Sequence, residues 1–195
     1  GLELAEAAKR QKVDIIGTGD MGIGNTSPSS AILSVLGGVP PSKTTGRGTG
    51  IDDKSWEHKV CVIEEVINVN RPDPGDPIDV LAKVGGFEIA GIVGLILGAA
   101  SNPTPVVIDG VISVAAAVIA LQLNKNVKDY LFTSHKSLEP GCEIGFRLLQ
   151  QRPLLDLGMR LGEGTGAVIA MNLLEAGTKI YSEMATFENA GVSKK

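Results

Sequence analysis

At 195 residues, 43% hydrophobic and 21% charged, the chain has the composition of a soluble globular protein and the length to bury a sizeable core. A formal net charge of −4, with no long basic run, excludes nucleic acid and anionic membrane as main partners. Glycine makes up 25 of the 195 residues, nearly twice its usual ~7% share, and gathers in short clusters between apolar segments.

In chain order, a charged amphipathic pattern predicts a helix over Leu2 to Gln11, which leaves no room for a signal peptide. Gly1 in place of a starting methionine points to residues removed upstream. A strand over Val13 to Gly17 leads through a glycine loop to a helix over Ser29 to Leu36. A second glycine loop precedes a helix from Asp53 to Asn68, with Asp52 and Asp53 expected at its N-cap. Three prolines between Arg71 and Pro77 require a loop. Helices over Ile78 to Lys83 and Glu88 to Ala100 follow, separated by Gly85 and Gly86.

Pro105 to Ile108 is a β-branched run suited to a strand buried on both faces. An Ala/Val/Ile-rich helix extends from there to about Asn124. The uncharged stretches 89–102 and 110–124 fall short of the ~18 apolar residues a membrane span needs, so both read as buried helices. A strand over Tyr130 to Thr133, a helix from Pro140 to Gln151 and a last helix from Thr165 to about Ala190, breakable at Gly177, complete the order. Alternating strands and helices predict an α/β fold: an open, mostly parallel sheet with helices on both faces, Rossmann-like and three-layered. Residues 1–195 are expected to form one domain, with the final helix, from about 165, assignable to a small helical subdomain.

Ligands in such folds bind beyond the carboxyl ends of the strands, which is where the glycine-rich segments fall. Gly17 to Thr26 offers closely spaced backbone N–H groups at a helix start, suited to an anion, though a plain turn fits equally well. It lacks the Gly-Lys-Ser/Thr ending of a Walker motif. In Gly46-Arg47-Gly48-Thr49-Gly50 the guanidinium could clamp a phosphate or simply face solvent. Ser134-His135-Lys136-Ser137 combines hydroxyl, imidazole and ammonium groups suited to phosphate or carboxylate. A Ser134–His135 nucleophile pair is disfavoured, because sequence neighbours rarely point at each other and no nucleophile elbow surrounds them. His58 reads as a surface residue, and Trp56, Phe87, Phe146 and Phe187 as packing residues. Glu163, a lone carboxylate in Arg160-Leu161-Gly162-Glu163-Gly164-Thr165-Gly166, suits a proton acceptor or a hydroxyl clamp. Cys61 and Cys142 lack metal-ligand spacing and read as reduced thiols of a cytoplasmic protein, and no metal site is expected.

Six motifs in order resemble the nicotinate-nucleotide:dimethylbenzimidazole phosphoribosyltransferase family of cobalamin nucleotide-loop assembly, over essentially the whole chain. They are Gly19 to Thr26, Gly46 to Gly50, Gly85 to Ile89, Val107 to Gly110, Ser134 to Ser137 and Arg160 to Gly166. The resemblance implies transfer of the phosphoribosyl group of nicotinate mononucleotide to 5,6-dimethylbenzimidazole, with inversion at the anomeric carbon and no cofactor. It implies that Glu163 accepts the proton of the attacking base. Gly22, Gly24, Asn25, Gly48, Lys59, Glu88, Gly110, Ser137 and Gly162 fall at its nucleotide and phosphate contacts, and Met21 and Leu161 at its base contacts. Asp20 stands where some members carry glutamate. The resemblance also implies a homodimer. Family members carry a long N-terminal portion that helps wall the base pocket, and this chain starts shortly before the first glycine motif. A fragment, a truncated gene or one half of a split enzyme is therefore expected. A non-catalytic nucleotide-binding module and a paralogue using another base, such as a purine or phenol, are the alternatives.

Overall fold

The computed structural model describes residues 1–192. Its centre is a parallel sheet of three short strands, β1 (Ile16–Gly17), β2 (Val106–Ile108) and β3 (Leu131–Thr133), in the order β1-β2-β3. Val106 lies opposite Ile16 on one side and Leu131 on the other. Beyond β3, His135 and Leu155 form one further parallel bridge, and the Leu154 N–H donates to the Thr133 carbonyl. The chain returning toward Glu163 is thus stitched along the outer edge of the sheet.

Eight helices are described: α1 (Leu2–Arg10), α2 (Thr26–Gly37), α3 (Asp53–Asn70), α4 (Pro77–Val84), α5 (Phe87–Ser101), α6 (Val111–Leu123), α7 (Gly141–Leu149) and α8 (Thr165–Glu183). Two 3-10 turns, Pro41–Lys43 and Lys125–Tyr130, complete the elements. Alternation along β2 sorts the layers. Val106 and Ile108 join a large core with α2, α4, α5, α6 and α7, whereas Val107 joins Ala167 and Ala170 of α8. The sheet therefore carries helices on both faces, as the strand–helix alternation predicts.

α5 and α6 are apolar almost all round because they are buried almost all round, Val114 to Ala120 being inaccessible on every side. Gly98 of α5 lets α1 approach: a Cβ there would lie 2.6 Å from the Cβ of Ala5. α3 begins at the expected cap, with Asp52 accepting a hydrogen bond from the Ser55 N–H at 2.8 Å. Asp76 caps α4 in the same way.

Four expectations need correction. β1 is two residues long rather than five, because only Ile16 and Gly17 face β2. α8 runs unbroken through Gly177 and stops at Glu183, short of Ala190. A mid-helix glycine on an exposed turn costs helix stability without ending the helix. Phe87 and Phe187 are 97% and 78% exposed, so they pack nothing here, whereas Phe146 is buried.

Candidate active site

The three strands lead into Thr18, Asp109 and Ser134, and the glycine loops gather there. Glu163 sits at the tip of a turn in which Gly162, Glu163 and Gly164 have φ of 75°, 57° and 81°. Three successive left-handed residues are accessible only because two of them lack a Cβ, and Glu163 itself bears a cost of about 1 kcal/mol or more. The arrangement leaves Glu163 exposed at the start of α8.

Gly164 occupies the N-cap of α8 and has no side chain with which to cap it. The cap comes from β2 instead. The Asp109 carboxylate, 1% exposed, accepts the Gly164 N–H at Oδ2 (3.0 Å) and the Ala167 N–H at Oδ1 (3.1 Å). The Asp109 N–H in turn donates to Thr18 Oγ1 at 3.2 Å, and that hydroxyl donates to the Val107 carbonyl at 3.1 Å. A Cβ on Gly19 would lie 2.6 Å from the Gly164 nitrogen, so the first glycine loop lies directly against the Glu163 turn.

In that first loop, Asn25 donates to the Asp20 carboxylate beside Gly22. Burial raises the Asp20 pKa, the nearby Glu88 charge raises it further, and the Asn25 hydrogen bond pulls it down. Asp20 and Asn25 are thus paired, with the Glu88 charge near enough to act on Asp20. Gly22, Gly24 and Met21 line the exposed rim of the loop.

The second loop forms a cationic corner. Lys59 Nζ donates to Thr26 Oγ1 at 2.8 Å and to the Gly46 carbonyl at 3.4 Å, close to Gly48. Burial pushes the Lys59 ammonium below its usual pKa, with the Glu139 charge partly restoring it. An anion brought against Nζ would favour the charged form of the lysine. On the phosphate contact that the family resemblance implies for Lys59, replacing it by Met should raise the KM for a phosphorylated substrate by roughly 10–100-fold, the worth of one charge-assisted contact of ~1.5–3 kcal/mol. Steady-state kinetics over a substrate range would check this, and an unchanged KM would remove Lys59 from the cradle. Arg47 is engaged elsewhere: it pairs with Asp53 and donates to the Ile51 carbonyl at 2.9 Å.

Glu139 is a residue that sequence reasoning passed over. Its Oε1 accepts the Gly48 N–H at 2.9 Å, while Oε2 is buried without a partner. A Cβ on Gly46 would overlap that carboxylate, so the second loop closes around it. Neighbouring Ser137, 8% exposed, accepts the Glu139 N–H at 3.3 Å.

The Ser134–His135 geometry also differs from expectation. These neighbours do touch, Ser134 Oγ lying 3.0 Å from His135 Nδ1, but both are fully buried under α8 and Asp109 Oδ1 is 3.9 Å from the same ring nitrogen. Burial lowers the His135 pKa, with Asp109 pulling the other way. The imidazole is a packing group behind the site rather than a nucleophile's base, and only Lys136 of this motif is exposed.

Cys142, buried behind Ser137, has its thiol pushed up to about 12 by burial. At neutral pH it is protonated and inert, whereas Cys61 is exposed. Iodoacetamide should label one thiol per folded chain and two in denaturant, read by mass spectrometry. Fast labelling of both in the folded state would contradict this burial.

Gly110 faces Gly162, with a Cβ there 4.0 Å from the Gly162 Cα, and Arg160 Nη1 lies 3.4 Å from the Gly48 carbonyl. The Glu163 turn thus touches all three neighbouring loops. Leu161 and Met21 are 66% and 85% exposed. Two surface hollows of about 380 and 550 Å³ lie elsewhere, one against α7 around Phe146 and Arg147, the other between α2 and α3 around Val35 and Ile67.

Glycine loops converging at the carboxyl ends of a parallel sheet, with the half-buried Lys59 of α3 against one and a lone carboxylate in another, define an α/β protein with its candidate site at the strand ends. Comparison with known proteins narrows the class. A family profile described as phosphoribosyltransferase matches residues 1–192. A nicotinate-nucleotide–dimethylbenzimidazole phosphoribosyltransferase of Geobacter sulfurreducens is 56% identical over 194 residues, 100% of this chain and 55% of the relative. Its counterpart in Citrifermentans bemidjiense is 54% identical over 193 residues, again 55% of the relative. The crystal structure of CobT from Thermus thermophilus superposes with a TM-score of 0.93 at 40% identity, covering 100% of this chain and 58% of that one. The chain belongs to the nicotinate-nucleotide–dimethylbenzimidazole phosphoribosyltransferase family. It spans about half the length of the curated relatives it matches.

Proposed function

We propose that this chain carries the transfer centre of an enzyme that moves the phosphoribosyl group of nicotinate mononucleotide to 5,6-dimethylbenzimidazole. The observation that carries the proposal is the meeting of the Glu163 turn with the Gly19 and Gly48 loops at the strand ends. That convergence supports reading Glu163 as a proton acceptor and the neighbouring glycine loops as an anion cradle.

One ring nitrogen of the base attacks the anomeric carbon of the ribose. The bond from that carbon to the nicotinate nitrogen breaks, and its electron pair neutralises the departing pyridinium. The base would be left cationic, so its second nitrogen gives its proton to Glu163. The products are α-ribazole 5′-phosphate and nicotinate, and attack opposite the leaving group inverts the anomeric centre. Gly22, Gly24, Asn25, Gly48 and Lys59 hold the phosphate and nucleotide, with Glu88, Gly110, Ser137 and Gly162 as further contacts. Met21 and Leu161 offer apolar surface to the base. A positioned carboxylate of this kind supplies about 10²–10⁴-fold.

Calorimetry with nicotinate mononucleotide, followed by a turnover assay with dimethylbenzimidazole, tests the proposal on the 195-residue chain. Binding with formation of α-ribazole 5′-phosphate supports it. A second reading, a nucleotide-binding module without chemistry, is favoured by the chain's covering 55% of its relatives and by the exposure of Met21 and Leu161. Binding without turnover would select it. The same assay with a purine or a phenol tests the third reading, a paralogue that uses another base. A homodimer, from family resemblance, and a cytoplasmic setting, from the reduced-thiol reading of Cys61 and Cys142, belong to the first reading. Sedimentation at micromolar concentration tests the former.

A further inference from the structure

We propose that Asp109 is the positioning residue for Glu163, acting on the transfer step through the backbone of the turn. This inference rests on the proposed role of Glu163.

Glu163 needs an unusual support, because a left-handed residue at the tip of a left-handed triplet will relax unless its surroundings hold it. Local contacts supply one tie, Thr165, which donates to the Gly162 carbonyl through both its N–H (3.0 Å) and its Oγ1 (2.7 Å). That bridge closes the turn on itself but does not anchor it to the rest of the site. The anchor is Asp109, whose two oxygens take the N–H of the residue after Glu163 and the N–H three residues further along. Its carboxylate is buried, and both oxygens are committed to α8. It is therefore not available to substrate and acts only through what it holds.

Its own placement is equally constrained. Asp109 follows β2 directly, and its N–H is fixed by Thr18 at the end of β1. The sheet thereby sets where Glu163 stands relative to the Gly19 loop. A carboxylate at a helix N-terminus is also electrostatically favourable, which offsets part of its burial cost. Asparagine at 109 would keep the shape but present an NH2 to one of the two N–H donors, so one tie would be lost and the turn released.

The test combines turnover with amide hydrogen exchange in Asp109→Asn, Glu163→Gln and the double variant of the full chain. The expected result is a kcat reduced roughly 10–100-fold in Asp109→Asn, with the KM for nicotinate mononucleotide within about twofold of wild type. In the Glu163→Gln background the same change should cost less than about threefold more, because its effect runs through Glu163. The Gly164 and Ala167 amides should exchange at least about tenfold faster while those of α5 and α6 keep their protection. Full additivity of the two substitutions would overturn the proposal, as would unchanged exchange at Gly164 and Ala167 or loss of protection throughout α5 and α6. If the wild-type chain shows no turnover, the transfer reading fails on its own account, and the exchange pattern alone decides whether Asp109 holds the turn.

Discussion

Glu163→Gln should lower kcat for α-ribazole 5′-phosphate formation by roughly 10²–10⁴-fold while leaving the Kd for nicotinate mononucleotide within about twofold. Glutamine keeps the length, the exposure and the hydrogen-bonding reach of the side chain but cannot take a proton. The corner of Gly48, Thr26 and Lys59, proposed to hold the phosphate, lies on separate elements and is untouched by the change. Nucleotide affinity and turnover should therefore part company. Single-turnover kinetics paired with calorimetry would read the two quantities separately. Retention of wild-type kcat would remove Glu163 as proton acceptor. A parallel loss of nucleotide affinity would instead assign it to ground-state binding, the hydroxyl-clamp alternative.

Gly166→Ala should be among the most destabilising single changes available, costing about 3 kcal/mol and lowering the Tm by roughly 6–12 °C for a chain of this size. A methyl there would overlap the buried His135 ring nitrogen and lie 2.9 Å from Asp109 Oδ1. Neither neighbour can withdraw. His135 is enclosed by the end of β3 and by α8, and Asp109 is committed to two backbone N–H groups. In a helix without neighbours the same substitution would stabilise by up to ~1 kcal/mol, so the sign of the effect isolates the packing contribution. Thermal denaturation of the variant, alone and combined with His135→Ala, checks the cause. Truncating the ring should recover part of the loss, and a Gly166→Ala protein as stable as wild type would show that α8 stands further from the sheet than described.

How legible this molecule was in its sequence depends on how far apart the interacting residues lie. α5, α6 and β2 are readable because continuous apolar composition has one structural meaning when every side is buried. The Asp52 cap is readable because its partner, Ser55, is three residues away. The glycine loops announce themselves by composition, and their common location follows from the rule for parallel sheets. Asp109 was named only as part of a motif and Glu139 was given no role, since their partners lie 55 and 91 positions away. A carboxylate that caps a distant turn looks like one that faces solvent until the fold is known. The Ser134–His135 contact escaped for a different reason: burial under α8 turns both side chains to the same side at the end of a strand. Phe87 shows the converse, since an aromatic at a helix start reads as core yet stands 97% exposed beside Glu88.

The remote cap on α8 bears on how the chain folds. Helices usually carry their own start signal, so their first turn can form early and by itself. α8 begins at a glycine whose cap arrives only when a segment of about 55 residues has closed on itself, at an entropic cost that grows with the logarithm of its length. The Glu163 turn therefore has the Thr165–Gly162 bridge as its local tie and is anchored in place only once β2 and α8 have docked. Its left-handed triplet is stable only as part of the finished sheet. In a nascent or partly unfolded chain the rest of α8 can be helical while the turn that bears Glu163 is not yet held against the sheet.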